Sequence, residues 1–249
     1  MREQPEQQAP PVQRLRVRYA KRGRLRFTSH RDFSRAFERA VVRARVPMAY
    51  SSGFHPHPRI SYAGAAPTGA ASEAEYLEIG LSAVTEPGAV LAALDEALPP
   101  GLDVLEVVAS PGGSLADLLE ASHWLSTVPD LAAEAAPGAI EAFLAAEEVP
   151  VERMTKKGLR TFDARGAVVS LRVATGPLTP APDPECAILE MVLRHGTPTV
   201  RPDDVLAGLC SIAGLEARSA PFHERLAQGP LDEQTGTVGD PLAVNRDTV

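Results

Sequence analysis

Apolar and basic residues alternate along the first stretch with a regular pattern, from Val12 to Tyr19. The apolar positions are Leu15, Val17 and Tyr19, and the basic positions between them are Arg14, Arg16 and Arg18. A period of two is typical of a β-strand with one buried face, so the arginines should project together from the other face of a sheet. After a turn at Lys21-Arg22-Gly23, the alternation resumes at Arg24-Leu25-Arg26-Phe27 and predicts further strand.

A helix is predicted next, with a start signal at Ser29 and a stop at Pro47. Ser29 is a favoured N-cap residue, and Asp32 follows three positions later as in a capping box. One side of the helix is apolar and consists of Phe33, Ala36, Phe37, Ala40, Val41 and Ala44. The other side carries Arg31, Arg35, Arg39 and Arg43, four residues apart. Like charges at that spacing repel by roughly a few tenths of a kcal/mol per pair, so the arginines indicate either an anionic partner or a solvated surface.

The remaining elements repeat a simple order. In the first half, strands are predicted at Ile60–Ala63, Glu75–Leu81 and Leu102–Val108, and a helix at Pro87–Ala97. In the second half, strands are predicted at His123–Val128, Val168–Ala174, Cys186–Arg194 and Leu215–Phe222, helices at Pro137–Glu147 and Pro202–Ala213, and an additional hairpin at Val149–Phe162. Strand, helix, strand, strand, helix, strand is the order of the ferredoxin-like fold. We therefore predict an α+β protein of two ferredoxin-like (βαββαβ) subdomains with antiparallel sheets, the second one decorated.

The two subdomains are expected at residues 12–110 and 111–226. Residues 1–11 are rich in Gln and Pro, and residues 227–249 show no periodicity. Both ends are therefore predicted to be disordered tails.

Charge is distributed unevenly along the chain. Residues 1–66 hold 14 Lys and Arg against 4 Asp and Glu, whereas the remaining 183 residues hold 11 against 28. A basic amino-terminal part on an acidic body favours a polyanion partner, although it also suits an acidic protein. Within the polyanions RNA is favoured, because the motifs that read helical grooves have no counterpart in this sequence.

The predicted RNA contacts are arginines, which bind phosphate bidentately, and aromatic residues that can stack on single-stranded bases. The aromatic candidates are Tyr19, Phe27, Tyr50, Phe54 and Tyr62. Tyr19 and Phe27 are interpreted as core residues, whereas Phe54 lies in a loop rich in Pro and Gly. A second basic cluster lies in the acidic part, at the turn of the predicted hairpin. The predicted contacts are Arg14, Arg16, Arg18, Arg24, Arg26, Arg31, Arg35, Arg39, Phe54, Arg59, Lys156 and Lys157.

Three histidines are candidates for acid–base chemistry. His30 begins the predicted helix, and His55 and His57 lie in a proline-containing loop that should hold both rings on one side. An H-x-H pair needs a third ligand to hold a metal, so no metal site is predicted, and no catalytic role is assigned. Hydrogen bonding, either structural or to a ligand, is the alternative for these rings.

Composition narrows the remaining classes. Two cysteines, Cys186 and Cys210, do not form a secreted disulfide framework, so a cytoplasmic location is expected. No stretch predicts a signal peptide or a membrane span. The sequence contains no Gly-x-Ser-x-Gly, HExxH, GxGxxG or P-loop motif, and no cofactor is predicted.

The stretch from Gly23 to Leu81 resembles the bacterial radical-SAM-linked domain of unknown function. The matching positions are Arg26-Phe27, Ser29-His30, Asp32, Arg39-Ala40, Pro47, Gly53-Phe54, Pro56-His57-Pro58, Gly69, Ser72-Glu73 and Glu75-Tyr76. That domain is fused to radical SAM proteins or encoded beside them, often near a ribonuclease of the E/G type. The resemblance implies an accessory partner of a radical SAM enzyme and transfers no catalytic residue. Because no radical SAM domain is present in this sequence, the enzyme is expected to act in trans.

The leading hypothesis is a radical SAM-associated accessory protein that binds RNA, either tRNA or rRNA, in a modification or processing pathway. Two alternatives stay open: a metal-independent endoribonuclease, by analogy with CRISPR-type proteins of the tandem ferredoxin-like kind, and an adaptor that binds only protein. The residues favour a role without catalysis and predict no oligomeric state.

Overall fold

A computed structural model describes residues 7–129, 131, 134–155, 158–174, 186–214 and 219–243. The chain divides into two compact units. The first unit consists of Met1–Leu118 and Asp240–Val249, and the second consists of Leu119–Gly239. Both units combine helices with antiparallel strands, so the mixed α and β class predicted from the sequence is confirmed.

Within its described residues, the first unit has four strands and two α-helices. In chain order they are β1 (Gln13–Lys21), α1 (His30–Arg43), β2 (Ile60–Ala63), β3 (Ala71–Leu81), α2 (Pro87–Ala97) and β4 (Val104–Ala109), with short 3₁₀ helices at Gly23–Phe27 and Ala116–Leu118. The strands lie side by side in the order β4-β1-β3-β2, and every neighbouring pair is antiparallel. The register places Leu15 opposite Ile79 on one side and Ala109 on the other.

Both helices of this unit cover the same face of the sheet. The apolar positions of β1, Leu15 and Val17, are fully buried against Phe33 and Phe37 of α1 and Leu94 of α2. Burying one such large apolar side chain stabilises the fold by about 1.5–3 kcal/mol. The predicted apolar faces of β1 and α1 therefore meet in one core, which leaves the arginines of both elements outside it.

The predicted second segment of strand at Arg24–Phe27 is wrong, because Gly23–Phe27 is a 3₁₀ helix. The Leu25 amide donates to the Arg22 carbonyl and the Thr28 amide to the Leu25 carbonyl. Gly23 has φ +53, a left-handed conformation that turns the chain out of β1. Four alternating residues fit a period of two and a period of three about equally well, so the pattern alone did not separate strand from 3₁₀ helix.

The second unit contains the additional hairpin that the sequence predicted. Its elements are β5 (Ala121–Val128), α3 (Ala136–Ala145), β6 (Pro150–Thr155), β7 (Gly158–Asp163), β8 (Val168–Val173), β9 (Ala187–Arg194), α4 (Pro202–Ala213), β10 (Phe222–Gly229), β11 (Leu231–Asp232) and β12 (Thr237–Val238), with a 3₁₀ helix at Arg165–Ala167. Strands of this unit lie in the order β10-β5-β9-β8, again antiparallel, while β6 pairs with β7 and β11 with β12.

Two predictions for the carboxyl-terminal part are wrong. The last long strand is Phe222–Gly229, not Leu215–Phe222, although residues 215–218 lie outside the described part of the chain. The predicted disordered tail from residue 227 instead contains the end of β10 and the β11–β12 hairpin. The inward positions of β10 are occupied by the buried polar residues His223, Arg225 and Gln228, so the strand shows no alternation of hydropathy.

At the other end, residues 7–11 of the predicted disordered tail also contact the first unit. The Gln8 amide donates to the Ser52 hydroxyl at 2.9 Å. Gly80 has no room for a β-carbon, because an added one would lie 2.8 Å from Pro11 Cγ.

Gly208 in α4 gives a test of how closely α4 packs. A β-carbon there would lie 2.7 Å from Val149 Cγ1 and 2.9 Å from Phe143 Cε2, and both neighbouring side chains are buried. Overpacking in Gly208→Ala should lower the free energy of unfolding by about 1–3 kcal/mol. The higher helix propensity of alanine offsets roughly 1 kcal/mol of this, so we expect a net loss of up to about 2 kcal/mol. Urea unfolding followed by circular dichroism measures the change.

The matched control is Gly138→Ala in α3, where an added β-carbon meets nothing within 4 Å. This substitution should be neutral or stabilising. Equal effects of the two substitutions would contradict the packing argument.

Candidate nucleic-acid interface

The start of α1 is fixed by the predicted cap. The Ser29 hydroxyl accepts from the Asp32 amide at 3.2 Å and donates to the Asp32 carboxylate at 2.7 Å. The core-facing side chains Phe33 and Phe37 then fix the rotation of the helix about its axis. With these two restraints, the direction in which each α1 side chain points follows from the helical period.

Arg31, Arg35 and Arg39, which we call the arginine row, lie on the outward side of α1 and are all exposed. None of the three makes an ion pair or hydrogen bond with any residue that the structure describes. Successive members are about 6 Å apart along the helix axis, because each residue rises about 1.5 Å. The arginine row is therefore a line of three guanidinium groups open to a ligand.

Arg43, the fourth arginine of the predicted row, is turned away from it. Its Nη1 donates to the Ala97 carbonyl at the end of α2, at 3.1 Å. Each step of four residues rotates by about 40° around a helix with 3.6 residues per turn, so the fourth member lies on a different side from the first. Val42, which is 68% exposed, occupies the outward position at this end of the helix.

The prediction that the arginines of β1 form an open face of the sheet is wrong. Arg16 is only 2% exposed, and its guanidinium lies against Glu78 of β3 at 3.4 Å and donates to the Gly112 carbonyl at 2.8 Å. Arg14 pairs with Oε1 of the same carboxylate at 2.9 Å, and the Ser110 hydroxyl donates to Oε2, the oxygen beside Arg16, at 2.7 Å. The strand register places Glu78 directly opposite Arg16, which a sequence pattern does not reveal.

The next basic residues of β1 and its turn are also bound within the unit. Arg18 Nε donates to the Glu73 carbonyl at 2.9 Å. Arg22 contacts the Glu73 carboxylate, with Nε donating to Oε1 at 2.6 Å, and its Nη1 donates to Asp103 at 2.7 Å. These guanidinium groups hold β1, β3 and the start of β4 together and are poor candidates for RNA contacts.

Around α1, the remaining predicted contacts differ in their accessibility. Arg24 is exposed, whereas Arg26 lies over the ring of Phe27, 4.5 Å from its centroid. Phe27, interpreted from the sequence as a core residue, is 58% exposed, whereas Tyr19 is buried as predicted and stacks on Phe33. The interpretation of Phe27 as a core residue is therefore wrong, and its exposed ring precedes α1 in the chain.

Two further predicted contacts lie in the loop before β2. Phe54 is 63% exposed. Arg59 is half-buried, and its Nε donates to the Tyr50 carbonyl at 3.1 Å. Lys156 and Lys157, the predicted contacts of the second unit, lie outside the described residues.

The candidate histidines do not form one cluster. The exposed His30 ring packs edge-on against Tyr62 at a centroid distance of 4.9 Å, and burial raises the pKa of the Tyr62 hydroxyl. His55 and His57 are exposed in the loop before β2, where the His57 amide donates to the Ser51 hydroxyl at 3.0 Å. Within the described ranges, no three His, Cys, Asp or Glu side chains lie together in a way that would hold a metal ion.

Three other histidines form polar contacts around β5 that the sequence reasoning did not find. His195 Nε2 lies 2.6 Å from the Ser122 hydroxyl, and its Nδ1 lies 2.7 Å from the Leu119 carbonyl. His223 links the Ser126 hydroxyl, at 2.8 Å, to the Asp203 carboxylate, at 3.0 Å. His123 contacts Glu190 at 2.9 Å.

These contacts resemble the Ser–His arrangements of hydrolases only in their distances. Ser122 and Ser126 are 1% and 0% exposed, so neither hydroxyl can reach a substrate. The His223 hydrogen bond is the main cause that lowers the pKa of Asp203, and the Arg172 hydrogen bond lowers that of Glu190. We interpret these groups as structural hydrogen bonds of the second unit.

His195 predicts a pH dependence of stability. Burial lowers its pKa below the ordinary value of 6.5, so the folded protein keeps a neutral ring where the unfolded chain takes up a proton. The stability from this group is complete above about pH 6.5 and is lost as the pH falls further. Compared with wild type, His195→Gln should therefore lose less stability between pH 7 and pH 5.

Urea unfolding at several pH values measures this slope, and His55→Gln controls for the loss of an exposed imidazole. If His195→Gln keeps the wild-type slope, the assignment is wrong.

The fold and the surface together define an α+β protein of two compact units with an exposed arginine row on its first long helix. No helix in the described ranges is long and apolar enough to cross a membrane. The chain belongs to a family of uncharacterized proteins conserved in bacteria (DUF2344), whose model matches residues 14–202. That match includes the whole of α1 and its arginine row. No curated protein matches the chain.

Proposed function

We propose that this protein is a cytoplasmic accessory protein that binds RNA through α1. The observation that carries the proposal is the arginine row, three exposed guanidinium groups without an internal partner among the described residues. Three like charges in line destabilise an isolated helix slightly, so a polyanion that approaches them gains attraction and relieves repulsion. Phosphate is the anion that guanidinium binds best in two-point geometry.

The contrast with β1 supports placing the interface on the helix. Arg14 and Arg16 share one carboxylate, and Arg22 contacts two. An RNA phosphate would have to displace those carboxylates, whereas no described carboxylate is paired with a guanidinium of the arginine row. We therefore restrict the proposed interface to α1 and the exposed residues Arg24 and Phe27 beside its start.

We further infer that both units are ferredoxin-like. In the first unit, the order β1, α1, β2, β3, α2, β4 and the strand arrangement β4-β1-β3-β2 support this assignment. In the second, β5, α3, β8, β9, α4 and β10 give the equivalent arrangement once the β6–β7 hairpin is set aside. The repetition of one plan supports a tandem arrangement with the arginine row on the first copy.

The resemblance to the radical-SAM-linked domain supports a place in RNA modification or processing, beside a radical SAM enzyme that acts in trans. Under this proposal the protein contributes RNA affinity, either for tRNA or rRNA, while the enzyme supplies the chemistry. The rings of His30, His55 and His57 then contribute hydrogen bonds instead of catalysis.

One observation favours the endoribonuclease hypothesis beyond the fold analogy: the His30 ring is exposed at the start of the helix that carries the arginine row. A metal-independent cleavage needs a general base within reach of the 2′-hydroxyl, and His30 is the histidine best placed for it. Incubation of labelled RNA with wild type and with His30→Ala, followed by measurement of cleavage, tests the endoribonuclease hypothesis. Cleavage that disappears in the variant while binding is kept would establish the nuclease.

A binding titration tests the main proposal. Labelled RNA is titrated with the full chain at several salt concentrations, with wild type and with charge-reversed variants of the arginine row. Affinity that falls steeply with salt and depends on the row supports the proposal. Affinity that is absent at low salt would overturn it and leave the protein adaptor, which can be recognised by a stable complex with its partner.

A further inference from the structure

We propose that the arginine row binds single-stranded RNA, with the strand lying along α1 and an unpaired base stacked on Phe27. This inference rests on the proposed RNA-binding function and specifies the form of RNA. It is carried by the width of the basic surface and by the exposed ring beside the start of the helix.

The basic surface of α1 is one residue wide. Around the helix axis, Asp32 and Glu38 lie about 60° to either side of Arg35, because each residue advances about 100°. Asp32 is exposed and Glu38 is half-buried, so acidic groups border the arginine row on both flanks. Phosphates that approach from the flanks meet carboxylates, and only a single line of phosphates along the helix axis meets guanidinium groups throughout.

A duplex fits this surface poorly. An A-form helix has a deep, narrow major groove that excludes side chains, and proteins that bind it contact phosphates and 2′-hydroxyls across a wide minor groove. Such contacts need a broad basic surface, which Asp32 and Glu38 interrupt. The spacing of about 6 Å between members of the row instead matches consecutive phosphates of one extended strand.

Phe27 supplies the second contact that a single strand needs. It lies two residues before the helix cap Ser29, and its ring is 58% exposed, with the Arg26 guanidinium over it at 4.5 Å. Large exposed aromatic rings next to cations are the stacking platforms of proteins that bind single strands. In a duplex the bases are already paired and stacked, so this ring gains nothing from them.

The test uses the full chain and two fluorescein-labelled probes, a 12-nucleotide RNA without internal pairing and a 12-base-pair duplex of the same sequence. We expect the single strand to bind at least about tenfold more tightly than the duplex at equal salt. Phe27→Ala should weaken binding of the single strand by roughly tenfold, within the range found for loss of one stacked base, and should leave duplex binding unchanged.

Phe27→Trp keeps a stacking surface and should retain wild-type affinity. Val42→Ala, at the exposed apolar position near the other end of the helix, is the matched control and should change affinity less than twofold. Loss of affinity in Phe27→Ala alone would therefore identify stacking as the cause.

The remaining outcomes separate the two proposals. Equal or tighter binding of the duplex, still dependent on the arginine row, would keep the RNA-binding function and overturn the single-strand inference. Preference for the single strand with no effect of Phe27→Ala would overturn the stacking contact. Failure to bind either probe at low salt would overturn the function itself.

Discussion

Replacing Arg31 and Arg35 together by glutamate should abolish RNA binding, with a loss of affinity on the order of a hundredfold or more at moderate salt. Each substitution removes one phosphate contact and places a like charge against the RNA backbone. Removing two contacts should also reduce the slope of log K against log salt by about 1.4, since each contact to a single strand contributes about 0.7. Fluorescence anisotropy over a range of salt concentrations measures both quantities.

The conservative pair Arg31→Lys with Arg35→Lys is the control for this experiment. Lysine keeps the positive charge and binds phosphate as a point charge, so affinity should fall only a few-fold and the salt slope should stay. Both arginines are exposed and make no hydrogen bond or ion pair with a described residue, so neither pair should alter the free energy of unfolding measurably. An unchanged salt slope in the glutamate pair would show that RNA binds elsewhere.

The largest expected change in stability comes from Glu78→Ala. This substitution removes the Glu78 counter-charge from the Arg16 side chain, which is 2% exposed. The Arg16 guanidinium keeps its hydrogen bonds to the carbonyls of Gly112 and Gly113. It also removes the acceptor of the Ser110 hydroxyl. Breaking a buried ion pair by deleting one partner typically costs about 3–5 kcal/mol, and we expect a loss of that size in urea unfolding.

Arg14→Ala is the matched control, because Arg14 pairs with the same carboxylate but its side chain is 51% exposed. An exposed pair contributes at most about 1 kcal/mol, so the two substitutions should differ clearly. If Glu78→Ala does not fold, Glu78→Gln keeps the shape of the side chain and gives a smaller loss that can be measured. Similar small losses for Glu78→Ala and Arg14→Ala would show that the Arg16–Glu78 pair is dispensable.

These two experiments address the two sets of arginines that look alike in the sequence. The prediction that basic side chains near the amino end share one open surface is confirmed for the exposure of Arg31, Arg35 and Arg39 on α1. It is wrong for Arg43 and for the buried Arg16 of β1. A charge-reversed Arg16 would lose RNA binding only by unfolding the first unit. Stability and affinity therefore have to be measured together for every arginine variant.

Local rules explain why α1 could be predicted. Ser29 supplies the cap and Phe33 and Phe37 supply the apolar side, all within one short stretch. The exposure of Arg31, Arg35 and Arg39 then follows from the helical period without knowledge of the rest of the chain. The helices at Pro87–Ala97 and Pro202–Ala213 begin and end as predicted for the same reason.

Strand partners explain most of the errors. The position of Glu78 opposite Arg16 depends on the antiparallel register of β1 and β3, whose residues are about 60 positions apart in the chain. The buried polar residues His223 and Arg225 made β10 unrecognisable, because an inward strand face is expected to be apolar. No local pattern encodes either feature.

The sequence by itself determined the helices, the approximate positions of most strands, and the row of arginines on α1, because each depends on periodicity and capping within a few neighbouring residues. Only the tertiary structure decided which arginines of β1 and its turn are bound within the protein. Burial of Arg16 with Glu78, exposure of Phe27 and the contacts of the buried histidines depend on pairing between distant segments. A charged side chain binds whichever opposite charge the fold places nearest, and that neighbour is fixed by register and packing.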